Sequence, residues 1–466
     1  MSDELARIRH TIDTIDDEIV RLLHARAAEV RKLGELRRTK GIEYADPRRE
    51  REVLDHVTRE GGAFPASAMR VLYRELLRLS TVVAESTEEP TEGQVALRPL
   101  CSPTIAVMKP YVPGKPPEVL ERELGVRGAV KLASNENPLG PSPKALAAIR
   151  EMLHTINFYP EGSSYYLREA LARRHGVTME EVICGSGTYE LLELVVRTFC
   201  VPEEEIIHAA PSFVAYDLAA QEHGVGEVIV PLDPAKDYRY DVDAMLARVT
   251  PRTKVLFLAN PNNPTGTYMG KADFERLVFE LPPSVILAVD EAYFEFTHAG
   301  DFPDSTRYRN ARERLLTFRT FSKAQGLAGL RIGYCIGPAE MIGLMQRVRP
   351  PFNVTSVAQA AALAALEDQE HVMRSRQLTL EGLEYLYREL NRLGVKAFPS
   401  QANFVFVDVG RPATKVYEAL LRKGVIVRPI GGPTHLRVSV GLPEENERFI
   451  RALEEVLAQE ASVRAG

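Results

Sequence analysis

The apolar positions of this chain fall into two regimes. Between residues 5 and 23, Leu5, Ile8, Ile12, Ile15, Ile19, Leu22 and Leu23 recur at gaps of three and four. That period lines one face of an α-helix and has the spacing of a coiled-coil seam. The helical pattern continues to about Arg38, Gly41 marks a turn, and Asp46-Pro47 reads as a second helix start with proline in its first turn. That helix runs to about Glu60. A third begins near Pro65 and carries Met69, Leu72, Leu76, Leu79 and Val83. Residues 1–86 are therefore expected to be three helices. Residues 87–104 are polar, proline-bearing and without period, as a linker should be. From residue 105, short apolar runs such as 255–259 and 285–289 alternate with helical stretches at 141–152, 188–199, 271–280 and 356–367. This alternation predicts an α/β domain with a mainly parallel sheet.

Composition narrows the class. At 466 residues the chain is too long for one core. Apolar content of 45% and charged content of 26% are ordinary for a globular protein. A net charge of -6 gives no support for nucleic-acid or membrane binding. No apolar run approaches the ~20 residues that span a bilayer, and the first residues are charged from Asp3, without an apolar leader core. Cys101, Cys184, Cys200 and Cys335 show no C-x-x-C spacing. They are expected to be reduced core thiols, with no metal site and a cytoplasmic setting.

The candidate chemistry centres on Thr320-Phe321-Ser322-Lys323, followed by small residues and by Arg331 eight positions on. Such a lysine can form a Schiff base with an aldehyde cofactor. Thr320, Ser322 and Arg331 can hold a phosphate beside it. Those are the needs of pyridoxal 5'-phosphate. Gly185-Ser186-Gly187-Thr188 lies between an apolar run and a helical run, where backbone N–H groups can face a phosphate. Asn263 and Asp290 follow predicted strands, where α/β sheets bind ligands. A carboxylate at 290 could hold a pyridine nitrogen protonated. Each motif alone is also a generic turn or helix cap, so the specificity lies in the set.

Residues 105–466 resemble a fold-type I pyridoxal phosphate aminotransferase, nearest to the histidinol-phosphate aminotransferase branch. The carrying motifs are Ser134-Asn135-Glu136-Asn137-Pro138-Leu139-Gly140, Tyr159-Pro160, Asn263-Pro264-Thr265-Gly266, Asp290-Glu291-Ala292-Tyr293, the Lys323 segment and Leu436-Arg437-Val438-Ser439. The resemblance implies a large cofactor subdomain at about 141–350 and a small one from about 105–140 and 351–466. It makes Lys323 the cofactor lysine and proton shuttle, Asp290 the pyridinium partner, and Asn263 and Tyr293 donors to the ring oxygen. Phe213 would cover the ring. Ser186, Gly187, Thr188, Thr320, Ser322 and Arg331 would bind the phosphate, and Tyr159 the phosphate of the other subunit in a homodimer. Arg437 would clamp the substrate carboxylate, with Asn135 beside it in the substrate site.

Residues 5 to about 85 resemble the all-helical chorismate mutases. The match is Arg9-x-x-Ile12-x-x-Ile15-Asp16-x-x-Ile19-x-x-Leu22-Leu23-x-x-Arg26, then Asp46-x-x-Arg49-Glu50. The resemblance implies that Arg9 (from a partner subunit), Arg26 and Arg49 bind two carboxylates, and that Asp46 and Glu50 accept from the substrate hydroxyl. Arg37 stands where the family has a lysine for the ether oxygen, and Ser80 fits the pattern. The family's Gln or Glu falls on Ala84, next to Glu85; either the register shifts by one or that ether contact is missing. The expected function is bifunctional: chorismate to prephenate, then transamination of an aromatic 2-oxo acid or prephenate, with glutamate as amino donor. The alternative is a histidinol-phosphate aminotransferase, fused to a mutase or to a non-catalytic helical module that binds an effector or dimerises. Small-molecule substrates are the expected partners.

Overall fold

The computed structural model describes residues 2–40, 47–59, 64–85, 101–108, 110 and 114–465, which form two compact units, Met1–Cys101 and Ser102–Gly466.

The first unit holds α1 (Ser2–Thr39), α2 (Pro47–Arg59) and α3 (Ala66–Glu85). The three-four spacing produces these helices, and α1 and α2 both pack on α3. At the α1–α3 crossing, Gly34 is buried, and a side chain there would run into the backbone of Ala84. Here the two helices approach backbone to backbone. The stripe predicted on α1 remains uncovered in a single copy: Ile8, Ile12, Ile15 and Ile19 are each about half exposed.

The second unit begins with α4 (Pro103–Val107), α5 (Pro117–Leu124) and β1 (Val130–Lys131). Then come α6 (Pro143–Met152), α7 (Tyr165–His175), β2 (Val182–Gly185), α8 (Gly187–Phe199), β3 (Glu205–Ala210), α9 (Ala215–His223) and β4 (Gly226–Pro231). They are followed by α10 (Val242–Leu246), β5 (Thr253–Ala259), α11 (Lys271–Glu280), β6 (Ile286–Asp290), β7 (Leu315–Thr320) and β8 (Gly333–Ile336). The last part holds α12 (Ala339–Val348), α13 (Ser356–Leu366), α14 (Gln369–Arg392), β9 (Lys396–Phe398), β10 (Phe404–Asp408), α15 (Ala413–Arg422), β11 (Val425–Ile426), β12 (Arg428–Pro429), β13 (His435–Ser439) and α16 (Pro443–Ala465). α4 starts just inside the predicted linker, whose residues 87–100 lie outside the described residues.

Seven strands form one sheet in the order β2-β8-β7-β6-β5-β3-β4. The strands from β7 to β4 are parallel, and β8 runs antiparallel to both β7 and β2. The two reversals leave β2 pointing the same way as the parallel strands. Six strands therefore deliver their C-terminal loops to one edge. Both faces are buried. One packs α8 and α9 against Ile206, Phe257 and Phe318; the other packs α11 against Ile207, Leu256 and Leu287. Burial on both faces explains why these strands read as continuous apolar runs.

A second sheet, antiparallel in the order β12-β13-β10-β9, shares a core with α14, α15 and α16. The parallel pair β1–β11 ties residues 130–135 to this layer, although they precede it by almost three hundred positions. Of the cysteines, Cys184 and Cys335 are buried and Cys200 partly so; Cys101 is exposed, which corrects its expected place in a core. Near the sheet edge, buried His208 faces Asp217 at 2.9 Å and Glu227 at 2.8 Å through Nε2. Among the described residues no helix is long and apolar enough to cross a membrane.

Candidate active sites

The C-terminal strand edge of the large sheet opens into a cavity of about 480 Å³. Its lining includes Thr188 after β2, Phe213 after β3, Asn263 after β5, Asp290 and Tyr293 after β6, and Thr320, Ser322 and Lys323 after β7. Arg331, Asn135 and Arg437 complete it. Eleven residues singled out in the sequence thus line one cavity, at the place where open α/β sheets bind ligands.

One end is a cradle for an anion. Gly185 and Thr320 both pair with Gly333 across β8, which draws the start of α8 towards the end of β7. Ser186 precedes the first residue of α8, a thirteen-residue helix whose opening amides carry partial positive charge. Gly187 sits at φ +78, and a Cβ there would overlap the Arg331 guanidinium. Arg331 therefore rests on bare backbone, held by a hydrogen bond to the Ala328 carbonyl at 3.1 Å. Guanidinium, helix start, Thr188, Thr320 and Ser322 make a donor set suited to a phosphate.

Lys323 Nζ lies 3.3 Å from the carbonyls of Ser134 and Asn135. Burial, reinforced by the Arg437 charge, lowers its pKa from 10.5 to about 7. A neutral amine is therefore available near physiological pH, as a nucleophile towards an aldehyde must be. Asp290 is 4% exposed, and burial raises its pKa to about 6. Its Oδ1 accepts from the Ala292 N–H at 3.1 Å and its Oδ2 from the Tyr216 hydroxyl at 3.2 Å. A buried carboxylate with this shift favours a cationic partner, and a protonated pyridine nitrogen is one.

The opposite wall comes from the small sheet. Arg437, on β13, donates Nη1 to Asn263 Oδ1 at 2.6 Å and Nη2 to the Ala133 carbonyl at 2.5 Å. Asn135 Nδ2 donates to the Tyr293 hydroxyl at 2.9 Å, and Ser439 Oγ accepts from Asn135 N–H at 2.8 Å. Amine, carboxylate, anion cradle and cavity-lining arginine together fit pyridoxal 5'-phosphate.

Tyr216, which does not itself line the cavity, and Arg428, which does, are two polar residues that were not singled out from sequence. Tyr216 is fully buried and bonded to Asp290; the available signal was its position three residues after Phe213, one helical turn away. Arg428 lines the cavity and sits opposite Arg437 in the β12–β13 register, a position only strand pairing reveals. Tyr159 does not line the cavity. It is 83% exposed and stacked on Phe352 at 4.7 Å.

In the helical unit, Arg26 Nη1 donates to the Ser80 hydroxyl, which is 5% exposed. Arg37 is half-buried on the same face of α1, three turns further on. Arg9 is exposed and lies roughly 25 Å from Arg26 by helical rise. Arg49 and Glu50 are exposed on α2, with Arg49 3.2 Å from Glu52. Asp46 lies outside the described residues. Ala84 is 2% exposed, faces α1 and accepts from Arg38 Nη2 at 3.0 Å through its carbonyl. α3 is continuous through this position.

Residues 127–453 match the model of aminotransferase class I and II, and residues 8–85 match chorismate mutase type II. The histidinol-phosphate aminotransferase of Moorella thermoacetica is 48% identical over 371 residues, 79% of this chain and 95% of that protein. That of Anaeromyxobacter sp. is also 48% identical, covering 77% of this chain and 99% of its own. The solved histidinol-phosphate aminotransferase of Sinorhizobium meliloti, in complex with pyridoxal-5'-phosphate, superposes with a TM-score of 0.71 at 28% identity, over 77% of this chain and 98% of that one.

Proposed function

The chain belongs to the class I and II aminotransferases and carries a chorismate mutase type II domain ahead of that region, and from this premise we propose that it makes prephenate and transaminates an aromatic 2-oxo acid or prephenate itself. Isomerase and transferase activities share one polypeptide, and pyridoxal 5'-phosphate is the cofactor of the second. The observation that carries the aromatic reading is the fusion: prephenate, the product of the first domain, is itself a 2-oxo acid.

When bound, the cofactor supplies a conjugated, protonated ring that delocalises the charge left when a Cα proton departs. Lys323 Nζ holds that group and moves the proton at the substrate Cα. Asp290 keeps the ring nitrogen protonated. Asn263 and Tyr293 donate to the ring oxygen, and Phe213 excludes water from one ring face. Ser186, Gly187, Thr188, Thr320, Ser322 and Arg331 take the phosphate. Arg437, its plane fixed by Asn263 and the Ala133 carbonyl, receives the substrate carboxylate as a fork. Arg428 offers a second cation to an acceptor with two anionic groups, and glutamate, with two carboxylates, serves as donor.

In the helical unit, Arg26, Arg37, Arg49 and Arg9 hold the substrate dianion in the reactive conformer and place positive charge at the breaking ether bond. Asp46 and Glu50 accept from the hydroxyl. The distance of Arg9 from Arg26 and the uncovered apolar stripe of α1 support a homodimer in which each copy completes the other's site. Exposed Phe158, Tyr159 and Tyr166 support pairing through the second unit as well. The cytoplasm is the compartment this reading assigns.

A second reading, histidinol-phosphate transamination, is favoured by the identity of the relatives. Imidazole acetol phosphate also brings an anion for Arg428. Assaying the purified chain with prephenate, phenylpyruvate and imidazole acetol phosphate separates the two. The aromatic reading requires the highest kcat/KM for one of the first two; a clear preference for imidazole acetol phosphate overturns it.

A further inference from the structure

Tyr216 is completely buried and does not itself line the cavity, yet its hydroxyl reaches Asp290, which does. That hydroxyl donates to Asp290 Oδ2 at 3.2 Å. The ring cannot swing away. It stacks on Phe257 at 4.9 Å and 12°, and meets Phe213 edge-on at 6.0 Å and 87°. The Ala292 N–H fixes the other carboxylate oxygen at 3.1 Å. One donor per oxygen leaves Asp290 held in a single plane, with its remaining lone pairs available on the cavity side.

We propose that Tyr216 is a positioning residue for transamination: its hydroxyl fixes the orientation of the Asp290 carboxylate and stabilises the anion, so that the proton would stay on the ring nitrogen. The proposal rests on the pairing of Asp290 with the pyridinium, argued above. Its physical basis is competition for one proton. A hydrogen bond to a carboxylate favours the ionised form. Without it, Asp290 becomes the stronger base, the proton moves from nitrogen towards oxygen, and the ring withdraws electrons less well. Burial, together with the neighbouring Asp290 charge, raises the Tyr216 pKa well above its usual value, so the phenol remains a donor across the working range. The other titratable groups facing Asp290 are Glu291 beside it, Tyr240, Tyr293 and Lys323. The edge contact with Phe213 adds that one tyrosine steadies both the acid at the ring nitrogen and the aromatic that would cover the ring.

The test uses the full chain reconstituted with cofactor labelled with ¹⁵N at the ring. In Tyr216→Phe, the ring ¹⁵N shift should move towards the neutral-pyridine value. The pH midpoint of the lysine-bound cofactor's absorbance should rise by about half a unit, because a less electron-poor ring makes the imine nitrogen more basic. kcat should fall roughly tenfold, with donor KM within about twofold. Incorporation of 3-fluorotyrosine at 216, a more acidic phenol of nearly the same shape, should move the midpoint the opposite way; this arm stands even where Tyr216→Phe folds poorly. Unchanged ¹⁵N shift and midpoint in both proteins, with any loss of kcat tracking loss of folded protein, would reduce Tyr216 to a core residue and overturn the proposal. Asp290→Asn serves as reference. Should the ¹⁵N shift stay at the pyridinium value there too, the Asp290 pairing fails, an outcome distinct from failure of Tyr216 alone.

Discussion

The two catalytic regions are built on opposite plans. The helical unit displays its candidate charged groups along amphipathic helices: Arg9, Arg49 and Glu50 are exposed, and Arg26 and Arg37 are half-buried. The aminotransferase cavity gathers its groups from loops after five strands of one sheet and from a second sheet. There the ionisable groups are shifted before any ligand arrives: Lys323 down to about 7, Asp290 up to about 6. Surface cations cost little to keep and gain strength only when a partner or substrate excludes water. Buried ones are destabilising on their own, so the fold must hold them in place.

This contrast can be broken most sharply at Lys323. Lys323→Ala should abolish the absorbance of the lysine-bound cofactor and lower transamination by at least about a thousandfold, while chorismate consumption in the same preparation stays within twofold. Persistence of that absorbance would show that another amine holds the cofactor. The reciprocal change, Arg26→Ala, should lower the mutase kcat/KM by roughly a hundredfold or more through loss of a charge-assisted contact, leaving transamination unchanged. Equal loss of both activities would mean that the two regions are not independent.

A smaller effect concerns stability. Asp290 has a raised folded-state pKa, so its buried charge is a penalty above about pH 6 that disappears as pH falls below it. Cofactor-free Asp290→Asn should therefore be more stable than the parent at pH 8, by on the order of 2 kcal/mol, with the difference closing towards pH 5. Denaturant unfolding at the two pH values checks this; an equally large difference at pH 5 would mean that the gain has another source.

The smallest effect lies outside both sites. Burial lowers the His208 pKa, but the Asp217 and Glu227 carboxylates, which accept from its Nε2–H, outweigh burial and raise it to about 9 from 6.5. The stabilisation from its protonated form is complete below about pH 6.5 and is lost as pH rises through 9. Melting temperature should fall more between pH 7 and 10 in the parent than in His208→Gln; identical slopes would mean that His208 is neutral in the fold.

Legibility followed the same divide. The helices of the first unit could be read from period alone, because each helix carries its own apolar stripe. The sheet edge could be read too, since Asn263, Asp290 and Lys323 each follow an apolar run by a few residues. Tyr216 was hidden because a tyrosine on an apolar helix face reads as core, and its bond to Asp290 spans 74 positions. Arg428 was hidden because a two-residue strand leaves no periodic signal. Ala84 could be seen as a departure but not explained: its meaning comes from Gly34, which lets α1 and α3 touch.

By itself, then, the sequence determined the order of elements, the reaction class and most of the groups that carry it, because those depend on local period and on residue chemistry. Tertiary structure alone decided which polar groups share a proton, which cations face each other and which face of α1 stays uncovered. Those properties depend on distance and dielectric, and both are set by residues far apart in the chain.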